Sequence, residues 1–446
     1  LLRRCLMRPL SSLLFSALLL FPFIGYGQIP AIPDSSKNLN SDFHFQLTTV
    51  TQYHPPFRSP YVGTNSLVPY EDEAMTMTAT IFWGVQIGKL GEFYINPEIA
   101  GGAGVSSATG IAGFTNGEAF RVGNPKPSVY IARAYFKHTF NLGGEEEYFR
   151  ESANQVIKTR TKKYLELTAG KFSVADFYDV NSYSHDPRSQ FLNWSLMSGG
   201  AWDYPANVRG YTWGVHVEYG WPGWALRSSV VMVPQDANGN DMDLSVGQAR
   251  SHTVELEKSF SIGALPGTAR LLGFYTLAQM GNYALSLANP SPDVVVTRKP
   301  GRSKFGGILN IEQQLSNHVG LFARASWNDG TNETWTFTEI DRSVSLGMVN
   351  EKGLLRKRSD AFGIAMVING LSDSHRKYLG AGGNGFILGD GQLNYAGEWI
   401  TEVYYKINLF YSGFWLTPDY QFVVNPGYNQ DRGPVHLFAI RAHIEL

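Results

Sequence analysis

The stretch Met75-Thr76-Met77-Thr78-Ala79-Thr80-Ile81-Phe82-Trp83-Gly84-Val85-Gln86-Ile87 repeats with a period of two. Met75, Met77, Ala79, Ile81, Trp83, Val85 and Ile87 form one apolar face, while Thr76, Thr78, Thr80 and Gln86 occupy most of the other, with Phe82 the exception. Successive side chains of a strand point to opposite faces, so this alternation predicts a strand with one greasy and one mostly polar or small face.

The pattern recurs along the chain. It is seen at Phe43, Phe45 and Leu47, at Leu165, Leu167 and Ala169, and at Tyr211, Trp213, Val215, Val217 and Tyr219. It returns at Val319, Leu321, Ala323, Ala325 and Trp327, and again at Phe438, Ile440, Ala442, Ile444 and Leu446. These segments run to about 10 to 14 residues, longer than a typical soluble strand and suited to a tilted bilayer crossing. Aromatics at the ends of the apolar face, Tyr211 with Tyr219 and Trp224, fit interfacial girdles. A soluble sandwich would alternate too, but with shorter strands and more charge on its second face. The chain from Phe43 to Leu446 accommodates about 16 such strands at roughly 26 residues each with its turn. The expected fold is therefore all-β: a transmembrane antiparallel β-barrel of about 16 strands, with loops folded into the lumen and residues 43–446 as its one domain.

Composition agrees. Over 446 residues only 17% are charged, whereas 13% are aromatic and 47 are glycine, which disfavours an all-helical protein. A formal charge of −1 offers no basic field for nucleic acid, and the apolar fraction of 43% is too high for disorder.

Arg3, Arg4 and Arg8, the apolar run Leu13 to Phe23, and the small residues Gly25 and Gly27 read as a signal peptide over 1–27. Its removal would take the formal charge to about −4. Cys5, the sole cysteine, lies within it, so disulfides, thiol catalysis and thiolate metal sites are excluded from the remainder. Residues 28–42 read as a periplasmic extension. Short turns are expected at Trp221-Pro222-Gly223 and Asn328-Asp329-Gly330. Long connections are expected at Ser106 to Pro127, Glu145 to Lys162, Val174 to Arg209, Pro234 to Arg250, Ala278 to Arg302 and Ser372 to Leu393, with helix or loop left open for the second.

The densest polar and aromatic cluster runs from Asp176 to Trp213. Aromatic rings offer flat faces to the C–H side of a sugar, and Arg, Asp and Asn supply donors and acceptors for hydroxyls. The same composition equally suits a loop folded into the lumen for rigidity. The run Lys171-Phe172-Ser173, then Asp186-Pro187-Arg188-Ser189-Gln190-Phe191-Leu192-Asn193-Trp194, Gly200-Ala201-Trp202-Asp203-Tyr204-Pro205 and Arg209-Gly210-Tyr211-Thr212-Trp213-Gly214 resembles the signature of the carbohydrate-selective outer-membrane porin family (OprB-like). The resemblance continues at His375-Arg376-Lys377-Tyr378-Leu379 and at Asn425-Pro426-Gly427-Tyr428-Asn429. It implies passive passage of mono- and oligosaccharides across a Gram-negative outer membrane. Leu446 departs from the terminal aromatic usual in such barrels.

The expected solute-binding residues are Trp194 and Trp202 as stacking faces, Asp203, Arg209, Arg188 and Asn193 as hydroxyl partners, and Arg133 and Glu166 in the narrow zone. Parity also turns Glu98, Lys137, Glu218, Arg324, Glu402 and Arg441 inward. No cofactor or metal is expected. Expected partners are carbohydrate solutes, outer-membrane lipid, periplasmic chaperones and the barrel-assembly machinery, with a monomer or homo-trimer as the assembly.

Two other readings remain open: a general or loop-plugged barrel, and a secreted sugar-binding or glycoside-hydrolysing protein. For the last, Asp179, Asp186 and Asp203 are the candidate carboxylates. The spacing Gly380-x-Gly382-x-x-Gly385 matches a dinucleotide fingerprint, but no amphipathic helix follows it.

Overall fold

The computed structural model describes residues 41–89, 91–119, 125–354, 360–409 and 413–446. The expected leader, with Cys5, and residues 28–40 of the expected extension lie outside them. Ser41 and Asp42 already belong to the first strand.

Among the described residues there are sixteen strands. They are β1 (Ser41–His54), β2 (Asp72–Ile87), β3 (Gly91–Gly102), β4 (Ser128–Phe149), β5 (Lys158–Phe172) and β6 (Thr212–Trp221). Next come β7 (Trp224–Val231), β8 (Arg250–Ile262), β9 (Leu265–Ala278), β10 (Arg302–Gln314) and β11 (Val319–Asn328). The chain ends with β12 (Arg342–Asn350), β13 (Ala361–Gly370), β14 (Glu398–Asn408), β15 (Phe414–Val424) and β16 (Val435–Glu445). Each pairs antiparallel with its sequence neighbours, and β1 pairs with β16, placing Gln46 opposite Glu445 and Tyr53 opposite Phe438. The barrel is thereby closed, and no strand edge is left open to lipid.

The burial pattern is inverted relative to a soluble sheet. In β2, Thr76, Thr78 and Thr80 are buried, whereas Met75, Ile81 and Trp83 are exposed. In β16, Ala439, Arg441 and His443 are buried while Phe438 and Ile440 face outward. Aromatic girdles form near both ends of the strands. Tyr53, Trp213, Tyr275, Phe305, Trp327, Trp399 and Phe438 lie toward one end, and Phe43, Trp83, Phe140 and Trp224 toward the other.

All connections after odd-numbered strands lie at one end, and most are long: 55–71, 103–127, 173–211, 232–249, 279–301, 329–341, 371–397 and 425–434. Those after even-numbered strands share the opposite end with the start of β1 and the close of β16. Two sequence expectations need correction here. Asn328-Asp329-Gly330 does not close a short turn but opens the connection 329–341. The stretch Glu145 to Lys162 is mostly strand, because β4 runs on to Phe149 and β5 begins at Lys158.

The long connections pack into the lumen. Leu67, Val105, Ile111, Phe191 and Leu196 meet Phe322, Val367, Ile400, Val423 and Leu437 of the wall in one apolar cluster. Backbone N–H groups carried inward need acceptors, and wall carboxylates supply them. Glu398 accepts from the N–H groups of Ala112, Gly113 and Gly427 at 2.9, 2.8 and 2.8 Å. Glu402 accepts from Leu192 and Asn193 at 2.5 and 2.9 Å, Glu255 from Asp179 at 2.8 Å, and Glu312 from Ser182 at 2.6 Å.

Among the described residues, three short α-helices sit in these connections: α1 (Trp194–Met197), α2 (Tyr283–Ser286) and α3 (Asp373–Gly380). Ser372 caps α3 by accepting from the His375 N–H. His375 Nδ1 lies 3.0 Å from Asp341 Oδ2, its Nε2 lies 3.7 Å from Glu339 Oε1, and the Tyr283 ring stacks on it at 4.2 Å. Burial opposes charge on this imidazole, but Asp341 and Glu339 outweigh it and raise its pKa above the ordinary value. Burial likewise opposes charge on Asp341, yet His375 prevails and holds its carboxyl down at about 2.

Two outcomes are expected. Leu346 is 58% exposed in the middle of β12, so Leu346→Arg should lower unfolding stability in lipid vesicles by about 2–4 kcal/mol in urea titrations. The second concerns pH. A raised imidazole pKa contributes stability that is complete below the ordinary histidine value and lost as pH climbs through the raised one. The Asp341 contribution is complete above the ordinary carboxyl value and lost as pH falls through about 2. Amide exchange over 371–397, corrected for intrinsic rates, should therefore be slower at about pH 5 than at about pH 9, and His375→Gln should flatten the difference.

Candidate functional site

The site begins with a proline in a strand. Pro97 of β3 has no N–H to give, and the β2–β3 ladder is interrupted there, between Thr80 opposite Glu98 and Trp83 opposite Ile95; on the other side the register with β4 slips, so that Asn96 faces Arg133 while Pro97 faces Ile131. The slip leaves Ala132 as a bulge. Tyr130 and Arg133, which strict alternation would send to opposite faces, both turn toward the lumen, while Val129 and Ile131 stay exposed.

A second device is the turn before β6. Gly210 has φ of +90°, and the Asn207 side chain accepts from the N–H groups of Arg209 and Tyr211 at 3.1 and 3.2 Å. Tyr211 lies just outside β6 and is carried inward, not into the lipid-facing girdle expected of it. The ladder with β5 starts only at Thr212, so strand alternation does not fix the side taken by Tyr211, whose hydroxyl bonds Glu98.

Around Glu98 of β3 these devices assemble a cationic and aromatic patch. Arg188 Nη2 donates to Glu98 Oε2 at 3.1 Å, its Nε to Glu118 at 3.1 Å, and its Nη1 to Thr80 at 3.2 Å. Tyr211 donates its hydroxyl to Glu98 at 3.1 Å, and Tyr130 donates to the same carboxylate. The Arg209 guanidinium lies 4.1 Å from the Tyr130 ring centre and donates to Ser128 at 2.6 Å. Arg133 lies 5.2 Å from the Tyr211 ring centre and makes a two-pronged bond to Asp176 at 2.6 and 2.7 Å. Burial disfavours charge on Arg188, but Glu118 and Glu98 outweigh it and hold its pKa well above the ordinary value. Burial and Glu98 raise the Tyr211 phenol, so it remains a neutral donor.

The eight residues expected from sequence divide three ways. Arg133, Arg188 and Arg209 converge on this patch. Glu166 lies further toward the short-turn end, accepting from Thr139 at 3.0 Å with Lys158 at 3.3 Å and Lys137 at 3.5 Å. The other four are built into the inserted segment. Trp194 is 8% exposed and stacks on Phe337 at 4.5 Å. Trp202 is 1% exposed, edge-on to Tyr204 at 5.2 Å. Asp203 accepts from the N–H groups of Trp335 and Thr336 at 3.0 and 2.8 Å, with Lys304 Nζ at 3.5 Å. Asn193 caps α1 and donates to Gln421 at 3.1 Å. In this arrangement the two indole faces are packed against protein and the polar atoms of Asp203 and Asn193 are bonded to it, while the Trp202 Nε1 is buried without a hydrogen-bond partner.

Tyr130, Tyr211 and Asp176 complete the patch without having been singled out as solute contacts. Pro97 inside an alternating strand and Gly210 before one were the available signals. Asp179 and Asp186, weighed as glycosidase acids, are likewise committed. Asp179 pairs with buried Arg324 at 2.9 Å, and Asp186 accepts from the Arg188 N–H and the Ser189 hydroxyl at 2.9 and 2.8 Å.

Residues 84–446 match the carbohydrate-selective porin, OprB family. Among solved structures, the high-pH structure of Pseudomonas putida OprB superposes with a TM-score of 0.65 at 15% identity, covering 91% of this chain and 94% of that one. The outer-membrane channel DcaP of Acinetobacter baumannii gives a TM-score of 0.51 at 10% identity, covering 92% and 97%. At such identities the two structures speak to the fold, which is the same kind of barrel. A comparison with curated protein sequences finds no match. The family match spans most of the chain, and the chain belongs to the carbohydrate-selective porin, OprB family.

Proposed function

We propose that this barrel stands in a Gram-negative outer membrane with its short turns toward the periplasm, and that carbohydrates diffuse through it past the patch around Glu98. The observation carrying this reading is the convergence of Arg133, Arg188 and Arg209 with Tyr130 and Tyr211 around Glu98 on the β3–β4 wall.

The arrangement suits neutral polyols. Arg188 is balanced by Glu98 and Glu118, and Arg133 by Asp176. A sugar hydroxyl can join such a network as donor or acceptor without adding net charge, whereas an ion has to displace a paired one. The half-buried Tyr130 ring beside Arg209 offers apolar surface to a pyranose face, while buried Tyr211 holds Glu98 in place. Contacts of this kind are individually shallow, so release stays fast, as conduction requires. Family and fold favour a channel over an enzyme.

Single-channel recording with added sugars tests the path. Open channels should show sugar-dependent block, and Arg133→Ala or Arg209→Ala should weaken it roughly 5- to 10-fold, the equivalent of one hydrogen bond of about 1–1.4 kcal/mol. A barrel that barely conducts, or conducts without any block by sugar, would contradict the proposal. Trp202→Ala should behave differently. Emptying a fully buried site should destabilise the inserted segment by about 3–5 kcal/mol and raise channel noise in the same recordings, while sugar affinity in long open bursts stays near wild type.

A further inference from the structure

The β4–β5 hairpin is the least barrel-like part of the wall. β4 is last paired with β3 at His138, and β5 is last paired with β6 at Tyr164. Beyond these points the two strands pair only with each other, down to Phe149 opposite Lys158. The result is a two-stranded ribbon leaving the barrel at its short-turn end.

The ribbon does not project away. Lys158 Nζ lies 3.3 Å from Glu166 Oε2 and 2.7 Å from Glu92 Oε1 of β3. Lys158 and Glu166 belong to the same strand, eight residues apart. Eight extended residues span about 26 Å, far more than the two side chains bridge, so the ribbon must double back on itself. The bend is visible in the backbone. Register slips between Asn141 and Gly143 and again between Gly143 and Glu146, and Gly143 and Gly144 have φ of +108° and +95°. These are angles that side-chain-bearing residues rarely adopt.

The doubled-back tip seats inside the mouth. Val156 is 1% exposed, packs within the cluster containing Tyr94 and Tyr135, and donates its N–H to the Tyr94 hydroxyl at 3.1 Å. A methyl placed on Gly84 of β2 would lie 3.1 Å from Val156, which puts the tip against the inner wall. The outer face of the ribbon, with Glu145 and Tyr148, remains exposed.

We propose that this folded-in hairpin is the exit constriction of the solute path and sets its size limit, with Lys158 latching it to Glu92 and Glu166. This inference rests on the carbohydrate-channel reading above, but it concerns a different level of the barrel from the Glu98 patch. It makes the size limit separable from sugar affinity.

The test uses the full chain in planar bilayers and in liposome-swelling assays with mono-, di- and trisaccharides. One variant replaces residues 143–162 with an Asn-Gly turn, which the remaining antiparallel strands can close. A second, Lys158→Met, keeps the hairpin and removes only the latch, so the question survives should the excised barrel fail to assemble. Expected for both are conductance increased by roughly twofold or more and faster swelling with trisaccharide relative to monosaccharide, with current block by monosaccharide unchanged. Wild-type conductance and wild-type size dependence in Lys158→Met and in any assembled excised barrel would overturn the proposal. If block responds to Arg133→Ala while neither hairpin variant alters size dependence, the exit constriction alone falls. If no sugar blocks any variant, the channel reading falls with it.

Discussion

Every polypeptide segment folded into the barrel must find acceptors for its N–H groups away from bulk water, and this requirement organises the interior. Sixteen strands enclose a lumen too wide for wall side chains to fill, so loops occupy much of it. Glu398 and Glu402 of β14, Glu255 of β8 and Glu312 of β10 each aim a carboxylate at loop backbone, and Glu398 alone holds three N–H groups from two different loops. A carboxyl group has more acceptor sites than a carbonyl and can take several donors at once. Acids on the wall therefore act first as anchors for the loops. Near β3 the wall acid Glu98 instead takes a guanidinium and two hydroxyls, and there charges and phenols meet in one patch.

This division explains a composition that looks meagre in charge. With 17% charged residues the chain still presents a dense polar interior, because lipid contact excludes charges from nearly every outward position on the strands and concentrates them on the inner face. The pairs run in chains instead of standing alone: Arg227 joins Glu218, Glu255 and Glu257, and Arg270 continues from Glu257 to Glu312. A guanidinium with several donors can serve two or three carboxylates in a fixed plane, which a lysine cannot match. The interior therefore carries many charges but little net field.

The barrel was legible because each strand faces two solvents at once, and period two is the direct imprint of that condition. Thr76, Thr78 and Thr80 against Met75, Ile81 and Trp83 report lumen and lipid before any pairing is known. The site was less legible, for a different reason at each residue. Trp194 and Trp202 have the chemistry of sugar-stacking rings, but burial is decided by Phe337, from a distant segment, and by Tyr178, from the far side of the same loop. Tyr211 has the composition of a girdle residue and the geometry of a lumenal one, because it stands before Thr212, the first paired residue of β6, and bonds Glu98. The extension of β4 through Glu145, Glu146 and Glu147 hid behind three consecutive acids, a sequence that favours neither strand face.

Departures from regular alternation are also where the chemistry lies. A perfect period-two wall would put Tyr130 and Arg133 on opposite faces, and the phenol could not share the lumen with Arg133. Pro97 removes one ladder bond, and the bulge opposite it restores both side chains to the same side. The lost bond is a local cost of about 0.5–1.5 kcal/mol on a closed sheet that has many others. Its gain is a surface on which a fixed carboxylate, two phenols and three guanidiniums orient one another before any solute arrives. Preorganisation of this kind keeps binding selective while leaving it weak, because little has to be ordered on entry or released on exit. A regular barrel can provide width and stability. Its irregularities give this one a surface that can discriminate among solutes.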